Sequence, residues 1–98
     1  MIAIDTNVLA RCVTDDDASQ TREAPRLLAS PQGVFIGKTV ILELEWVLRS
    51  AYRLPREAIY PALMGILGLP NVVAEDEEQV ALALDCYRQG LDFADALH

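Results

Sequence analysis

An acidic side chain directly follows a short apolar run at the start of the chain. Residues 1–4 are apolar, and Asp5 comes next, ahead of a segment with helical spacing. In an open α/β sheet, ligands and metals bind at the carboxyl ends of the strands, and an unpaired carboxylate buried there would be costly to desolvate. Asp5 therefore suits a binding site. One alternative stays open, because Asp5, Thr6 or Asn7 can each accept a hydrogen bond from the first free N–H groups of a following helix.

Two glutamates in the middle of the chain are further candidates for the same site. Glu43 and Glu45 are two residues apart on a predicted helix, which separates them by about 200° around the axis, so only one can face a given site. Arg49 follows Glu45 by four residues, the spacing of a surface ion pair. Glu43 has no such basic partner. Glu43 is therefore the better candidate, and its alternative is a position at the edge of the core with the carboxylate in water.

The third candidate is a pair of acids at residues 92 and 95. Asp92 and Asp95 are three residues apart, which places both on one face of the first turn of a helix. The same spacing resembles a capping box, and capping is compatible with ligation. Acids from three elements, namely Asp5, Glu43 and this pair, would suit Mg²⁺ or Mn²⁺, which prefer oxygen ligands. We expect a surface or packing role for His98.

Alternating strands and helices must position these acids. Residues 1–5, 34–36 and 71–74 are apolar runs of the buried-strand type. Apolar residues recur at helical spacing elsewhere, and Gly90 is predicted to lie just past the end of a helix. The alternation predicts one α/β domain with a central parallel sheet covered by helices on both faces, a three-layer α/β/α fold. The predicted helices cover residues 6–12, 18–29, 39–52, 55–67, 76–88 and 92–98.

Charge and composition limit the classes of function. The chain has 98 residues and a net charge of −7, so it lacks the basic surface that holds a nucleic-acid backbone. A polyanionic substrate would need cations from a bound metal, a partner or a local cluster. Cys12 and Cys86 are far apart, which favours reduced thiols and a cytoplasmic protein. We find neither a signal peptide nor an apolar run long enough to span a membrane.

Three segments together resemble the PIN-domain ribonucleases, in particular the VapC-type toxins of bacterial toxin–antitoxin pairs. They are IAIDTNVL at residues 2–9, VILELEWVLR at 40–49 and GLDFADALH at 90–98. The resemblance implies that Asp5, Glu43 and Asp95 gather at one pocket and act as metal ligands and catalytic acids. It also implies that Asn7 braces the pocket by hydrogen bonds and that Asp92 is an auxiliary acid.

The chemistry implied by the resemblance is hydrolysis of an RNA phosphodiester with Mg²⁺ or Mn²⁺. A divalent cation relieves the repulsion among grouped carboxylates, activates water and stabilises charge on the phosphate. The resemblance further implies a VapB-type antitoxin that covers the active groove, and a homodimer. Family members continue past the segment at 92–98, so residues 1–98 are expected to form a single PIN-like domain incomplete at its C-terminus, with C-terminal strands and a fourth acid missing.

Two other classes of function remain open. A non-catalytic module that binds an antitoxin or a second copy of the chain is favoured by the expected lack of the fourth acid. A phosphotransferase or phosphatase with an aspartyl nucleophile on the first strand is disfavoured, because such enzymes need a second acid at the position of Asn7 and a downstream lysine.

Overall fold

The computed structural model describes residues 2–14 and 31–97. Two predictions, the helix at 18–29 and the role of His98, lie outside these residues. The described strands are β1 (Ile2–Ala3), β2 (Val34–Ile36) and β3 (Val72–Ala74). The described helices are α1 (Thr6–Thr14), α2 (Lys38–Ser50), α3 (Arg56–Leu67), α4 (Glu77–Arg88) and α5 (Phe93–Leu97).

The three strands form one parallel sheet in the order β1–β2–β3. Helices flank this sheet, which confirms the predicted α/β class. Because parallel strands all point the same way, their carboxyl ends lie at one edge of the sheet, where loops and helix starts can bring side chains together. Asp5 follows β1 at this edge, Lys38 follows β2, and Glu75 follows β3.

The core lies between the sheet and the helices. Every described strand and helix except β1 itself contributes a buried apolar residue, and α2 packs against α1, α3 and α5. The opposite row of the sheet is less covered, since Phe35 and Val73, which are paired in register, are 37% and 40% exposed. The largest side chains of the core with less than 2% exposure include Leu9, Ile36, Ile41, Leu48, Ile59, Leu63 and Phe93.

The ends of the described elements differ from prediction by at most two residues. The first strand ends at Ala3 rather than residue 5, because the chain already enters α1 at Thr6. Pro55 precedes α3 as its N-cap instead of lying inside it. Gly90 follows α4 with a φ of 108°, so the prediction of a glycine past the helix end is confirmed.

None of the described helices, of which the longest has 13 residues, is long and apolar enough to cross a membrane.

Candidate active site

Asp5 caps the first helix and remains exposed. Its Oδ1 accepts a hydrogen bond from the backbone N–H of Val8 at 2.9 Å, so the capping alternative is correct. The bond engages only one carboxylate oxygen, and the other makes no hydrogen bond to the part of the chain that the structure describes. Capping therefore leaves the Asp5 carboxylate accessible for a second role.

Glu43 reaches the same place from α2. The Oγ1 of Thr6 donates a hydrogen bond to Glu43 Oε2 at 3.0 Å. Thr6 is buried and directly follows Asp5, whereas the Glu43 carboxylate is on an exposed residue. The structure thus places Glu43 in contact with Thr6, the residue directly after Asp5. Local sequence suggests only a helix cap for Thr6, and its position between Asp5 and Asn7 is the available signal of a role at the site.

Asp92 and Asp95 lie at the start of α5 and are both exposed. The backbone N–H of Asp95 donates to Asp92 Oδ1 at 3.0 Å, so Asp92 caps this five-residue helix as the capping alternative predicted. Because α5 packs against α2, both acids lie on an element next to the helix that carries Glu43. No hydrogen bond joins either acid to Asp5 or Glu43 among the described residues.

Asn7 is exposed on the first turn of α1. Within residues 2–14 and 31–97, its side chain has no hydrogen-bond partner, so the bracing role assigned to it stays a prediction.

Glu45 is not on the surface, contrary to the prediction of a surface ion pair. It does pair with Arg49, whose Nε lies 3.0 Å from Glu45 Oε2, but Glu45 is only 5% exposed. Its burial is explained by Tyr87 of α4, whose hydroxyl donates to the same Oε2 at 3.1 Å. Burial and, next, the charge of Glu45 raise the pKa of Tyr87 to about 12. The hydrogen bond that Arg49 donates to Glu45 raises the pKa of Arg49, and Asp92 adds a smaller electrostatic contribution.

A shallow depression of about 260 Å³ lies between α2 and α5, beside Glu43. Trp46 is exposed there, and Arg49 places its half-exposed side chain beside it. The site therefore has an aromatic surface and a cation next to a carboxylate. The lining residues are Leu42, Glu43, Glu45, Trp46, Arg49 and Ala94.

The acids that follow β3 are engaged elsewhere on the sheet edge. Glu75 Oε1 accepts the backbone N–H of Lys38 at 2.8 Å and so caps α2, whose own N-cap residue, Gly37, has no side chain. Asp76 Oδ2 pairs with Lys38 Nζ at 2.8 Å, and this bond raises the pKa of Lys38. Both of these acids are therefore held by Lys38, whereas Asp5 accepts only the backbone N–H of Val8 among the described residues.

The donor chemistry of the site fits a divalent cation only in part. Asp5 and Glu43 supply the hard oxygen atoms that Mg²⁺ and Mn²⁺ prefer. Within the described ranges, however, no three His, Cys, Asp or Glu side chains are close enough together to hold one ion. The arrangement therefore offers a two-carboxylate start of a metal site, with Asp95 on the neighbouring element.

Comparison with known proteins gives one family. The PIN domain family model matches residues 2–98, nearly the whole chain. Searches of the curated proteins and of the solved structures found no match. PIN domains are generally nucleases that bind nucleic acids, and those nucleases generally use divalent metals.

Proposed function

This chain belongs to the PIN domain family, and on that premise we propose that it is a metal-dependent endoribonuclease of the VapC type. The observation that carries the proposal is the hydrogen bond of 3.0 Å between Thr6 and Glu43, since it joins the helix bearing Glu43 to the strand end bearing Asp5. Glu43 is 38 positions from Asp5 in the chain, and this bond brings it to the residue next to Asp5. Two exposed carboxylates placed close together repel each other, and a bound cation would relieve that repulsion.

In this proposal Asp5 and Glu43 hold Mg²⁺ or Mn²⁺, and Asp95 supplies a third carboxylate from α5. Once bound, the cation activates water and stabilises negative charge on the scissile phosphate. Thr6 fixes the orientation of the Glu43 carboxylate by donating its hydroxyl hydrogen. Asp92 holds the first turn of α5 through its bond to the N–H of Asp95 and in this way positions the third acid.

The finer parts of the proposal follow from the resemblance of residues 5–8 and 92–98 to VapC-type toxins. A toxin of this type is paired with a VapB-type antitoxin, forms a homodimer and acts on RNA in the cytoplasm. A bound antitoxin would shield the exposed acids Asp5 and Glu43 from RNA, because both lie at the accessible edge of the sheet.

A second candidate function is a non-catalytic module that binds an antitoxin or a second copy of the chain. The observation that favours it is that the described residues do not gather three metal ligands. In that case the chain would bind its partners without cleaving RNA.

A metal titration with a carboxylate variant separates the two candidates. We expect the purified chain to cleave single-stranded RNA when Mn²⁺ is added, and to stop when the metal is chelated. Glu43→Gln retains an oxygen that can accept the Thr6 bond but removes the charge, so we expect cleavage to fall at least about 100-fold. No cleavage in the presence of Mn²⁺ would support the second candidate. Equal cleavage with and without metal, or by Glu43→Gln and the unchanged chain, would contradict the proposed metal site.

A further inference from the structure

The chain has a single tryptophan, and it is exposed beside the proposed active site. Trp46 is 58% exposed on α2, three residues after Glu43. Large aromatic side chains usually bury most of their surface in a folded protein. Residues three apart on a helix lie on neighbouring positions of one face, so the indole is next to the Glu43 carboxylate. Among residues 2–14 and 31–97, the apolar core does not include Trp46, so core packing does not account for this position.

Arg49 stands on the same face of α2, one further turn along. Its Nε and Nη2 atoms donate to Glu45 at 3.0 and 3.4 Å, which leaves the Nη1 group and one Nη2 hydrogen without a role in that pair. Glu45 is itself held by the Tyr87 hydroxyl from α4. The guanidinium group is therefore held on its inner side by the buried Glu45, and 53% of the Arg49 side chain remains exposed.

We propose that Trp46 and Arg49 form a binding platform for single-stranded RNA, with a base stacked on the indole and a phosphate contacted by the guanidinium group. The proposal rests on the proposed function, because it supplies the substrate-binding surface of that same site. Base stacking on aromatic side chains and a nearby cation are what sequence-tolerant single-strand binding needs.

The negative net charge explains why this chain would need such a platform. The net charge of −7 repels a phosphate backbone over most of the surface. Stacking is insensitive to that repulsion, because it takes place between uncharged rings. Arg49 then supplies a local cation in the 260 Å³ depression that also contains Glu43. An RNA duplex, whose bases are already stacked on each other, cannot use the indole in this way.

Trp46 fluorescence tests the proposal without requiring cleavage. The variant Asp5→Asn is used in Mg²⁺, because it is expected to leave RNA intact. We expect a single-stranded RNA of about ten nucleotides, a typical site size, to quench Trp46 fluorescence on binding. A duplex of the same sequence should leave the fluorescence nearly unchanged. Equal quenching by the duplex, or none by the single strand, overturns the proposal.

Substitutions in the Asp5→Asn background measure the two contacts separately, through the anisotropy of a labelled RNA strand. Trp46→Leu should weaken binding by about tenfold, while Trp46→Phe keeps a stacking surface and should stay within about threefold. Arg49→Gln should weaken binding and reduce the salt slope by about 0.7, the value for one phosphate contact on a single strand. Unchanged affinity in both Trp46→Leu and Arg49→Gln overturns the platform.

Matched controls exist elsewhere in the chain. Arg88 also pairs with an acid of its own helix, Asp85 at 2.8 Å, and is similarly exposed, so Arg88→Gln should leave affinity and salt slope unchanged. Phe35→Leu removes an exposed aromatic residue from the sheet and should have no effect. If either control weakens binding as much as its partner variant, the platform is overturned. Single-strand binding at Trp46 without any cleavage by the unchanged chain would support the platform while contradicting the nuclease proposal.

Discussion

Two glutamates of α2 that are two residues apart have opposite environments. Glu43 is exposed and accepts one hydrogen bond, from Thr6, so its carboxylate is available to a ligand. Glu45 is buried and accepts bonds from both Tyr87 and Arg49, which satisfy the buried charge. Burial without such partners would cost several kcal/mol. One helix thus carries an acid suited to binding and an acid suited to holding the helices together.

The Tyr87 hydroxyl gives the folded protein a dependence on alkaline pH. The folded state raises the pKa of Tyr87 to about 12, first by burial and then through Glu45, whereas an unperturbed tyrosine has a pKa of about 10. The neutral phenol is thus favoured by folding, so this contribution to stability is complete below about pH 10 and is lost as the pH rises towards about 12. This contribution to the free energy of unfolding is about 2–3 kcal/mol.

Urea unfolding of the unchanged chain and of Tyr87→Phe at pH 9 and pH 11.5 measures this contribution. At pH 9 the variant should be less stable by about 1 kcal/mol, the value of one lost hydrogen bond. The unchanged chain should lose more stability between the two pH values than the variant. Identical losses in both proteins would mean that Tyr87 does not titrate with the expected pKa. Tyr60→Phe, on α3 and outside this set of contacts, is the matched control.

At the residue scale, local spacing predicted what neighbours within one helix do, but not what distant elements supply. The Glu45–Arg49 pair and the choice of Glu43 as the candidate site acid followed from spacings of two and four residues, although the pair was predicted to lie on the surface. The burial of Glu45 did not, because Tyr87 is 42 positions away in the chain. The Thr6–Glu43 bond joins residues 37 positions apart and was missed for the same reason.

At the scale of elements, the connection between α4 and α5 determines where Asp92 and Asp95 stand. The N–H groups of Gly90 and Leu91 donate to the carbonyls of Tyr87 and Cys86 at 3.0 and 3.1 Å, the two bonds of a Schellman motif. Arg56 adds hydrogen bonds to the carbonyls of Tyr87 and Leu91, each 2.6 Å long. A helix as short as α5 is not stable alone, so these contacts hold it in place.

Gly90 is the residue of this connection most sensitive to substitution. Its φ of 108° is a conformation that residues with a Cβ rarely adopt, although no atom lies within 4 Å of an added Cβ. We expect Gly90→Ala to lower the free energy of unfolding by about 2 kcal/mol through backbone strain. The cost would appear in urea unfolding as a lower midpoint with the same slope.

Gly65 is the matched control for this substitution. It lies inside α3 and likewise has no atom within 4 Å of an added Cβ. Since alanine is favoured over glycine in helices, Gly65→Ala should raise the free energy of unfolding by about 0.5–1 kcal/mol. A stabilising Gly90→Ala, or equal effects at both positions, would contradict the role given to the connection.

Element types and order were largely predictable from the sequence, and the ends of the described elements were predicted to within two residues. Apolar spacing predicted α2, and Gly90 predicted the end of α4. The strand predicted at 1–5 is shorter because Asp5 caps α1, and periodicity cannot show which polar residue starts a helix. The contact of α5 with α2, the helix that carries Glu43, depends on long-range packing and has no signal in local spacing.

At the scale of the whole molecule, two features matter together. The parallel sheet places acids at one edge, and the protein as a whole is strongly negative. Asp5 and Glu43 are exposed at this edge, while Glu75 and Asp76 are held by Lys38. With a net charge of −7, an RNA strand can approach this edge only where cations or stacking surfaces offset repulsion. The depression with Trp46 and Arg49 is such a place, beside Glu43.

The measurement that tests the nuclease account most directly compares RNA cleavage by Asp5→Asn and Asp85→Asn in Mn²⁺. Asparagine caps a helix about as well as aspartate, so Asp5→Asn should keep the Val8 bond. Its free energy of unfolding should lie within about 0.5 kcal/mol of that of the unchanged chain. Asp85 is an exposed acid of α4, paired with Arg88. We predict that Asp5→Asn lowers cleavage at least about 100-fold while Asp85→Asn cleaves normally. Equal cleavage by the two folded variants would contradict the assignment of Asp5 to a catalytic metal site.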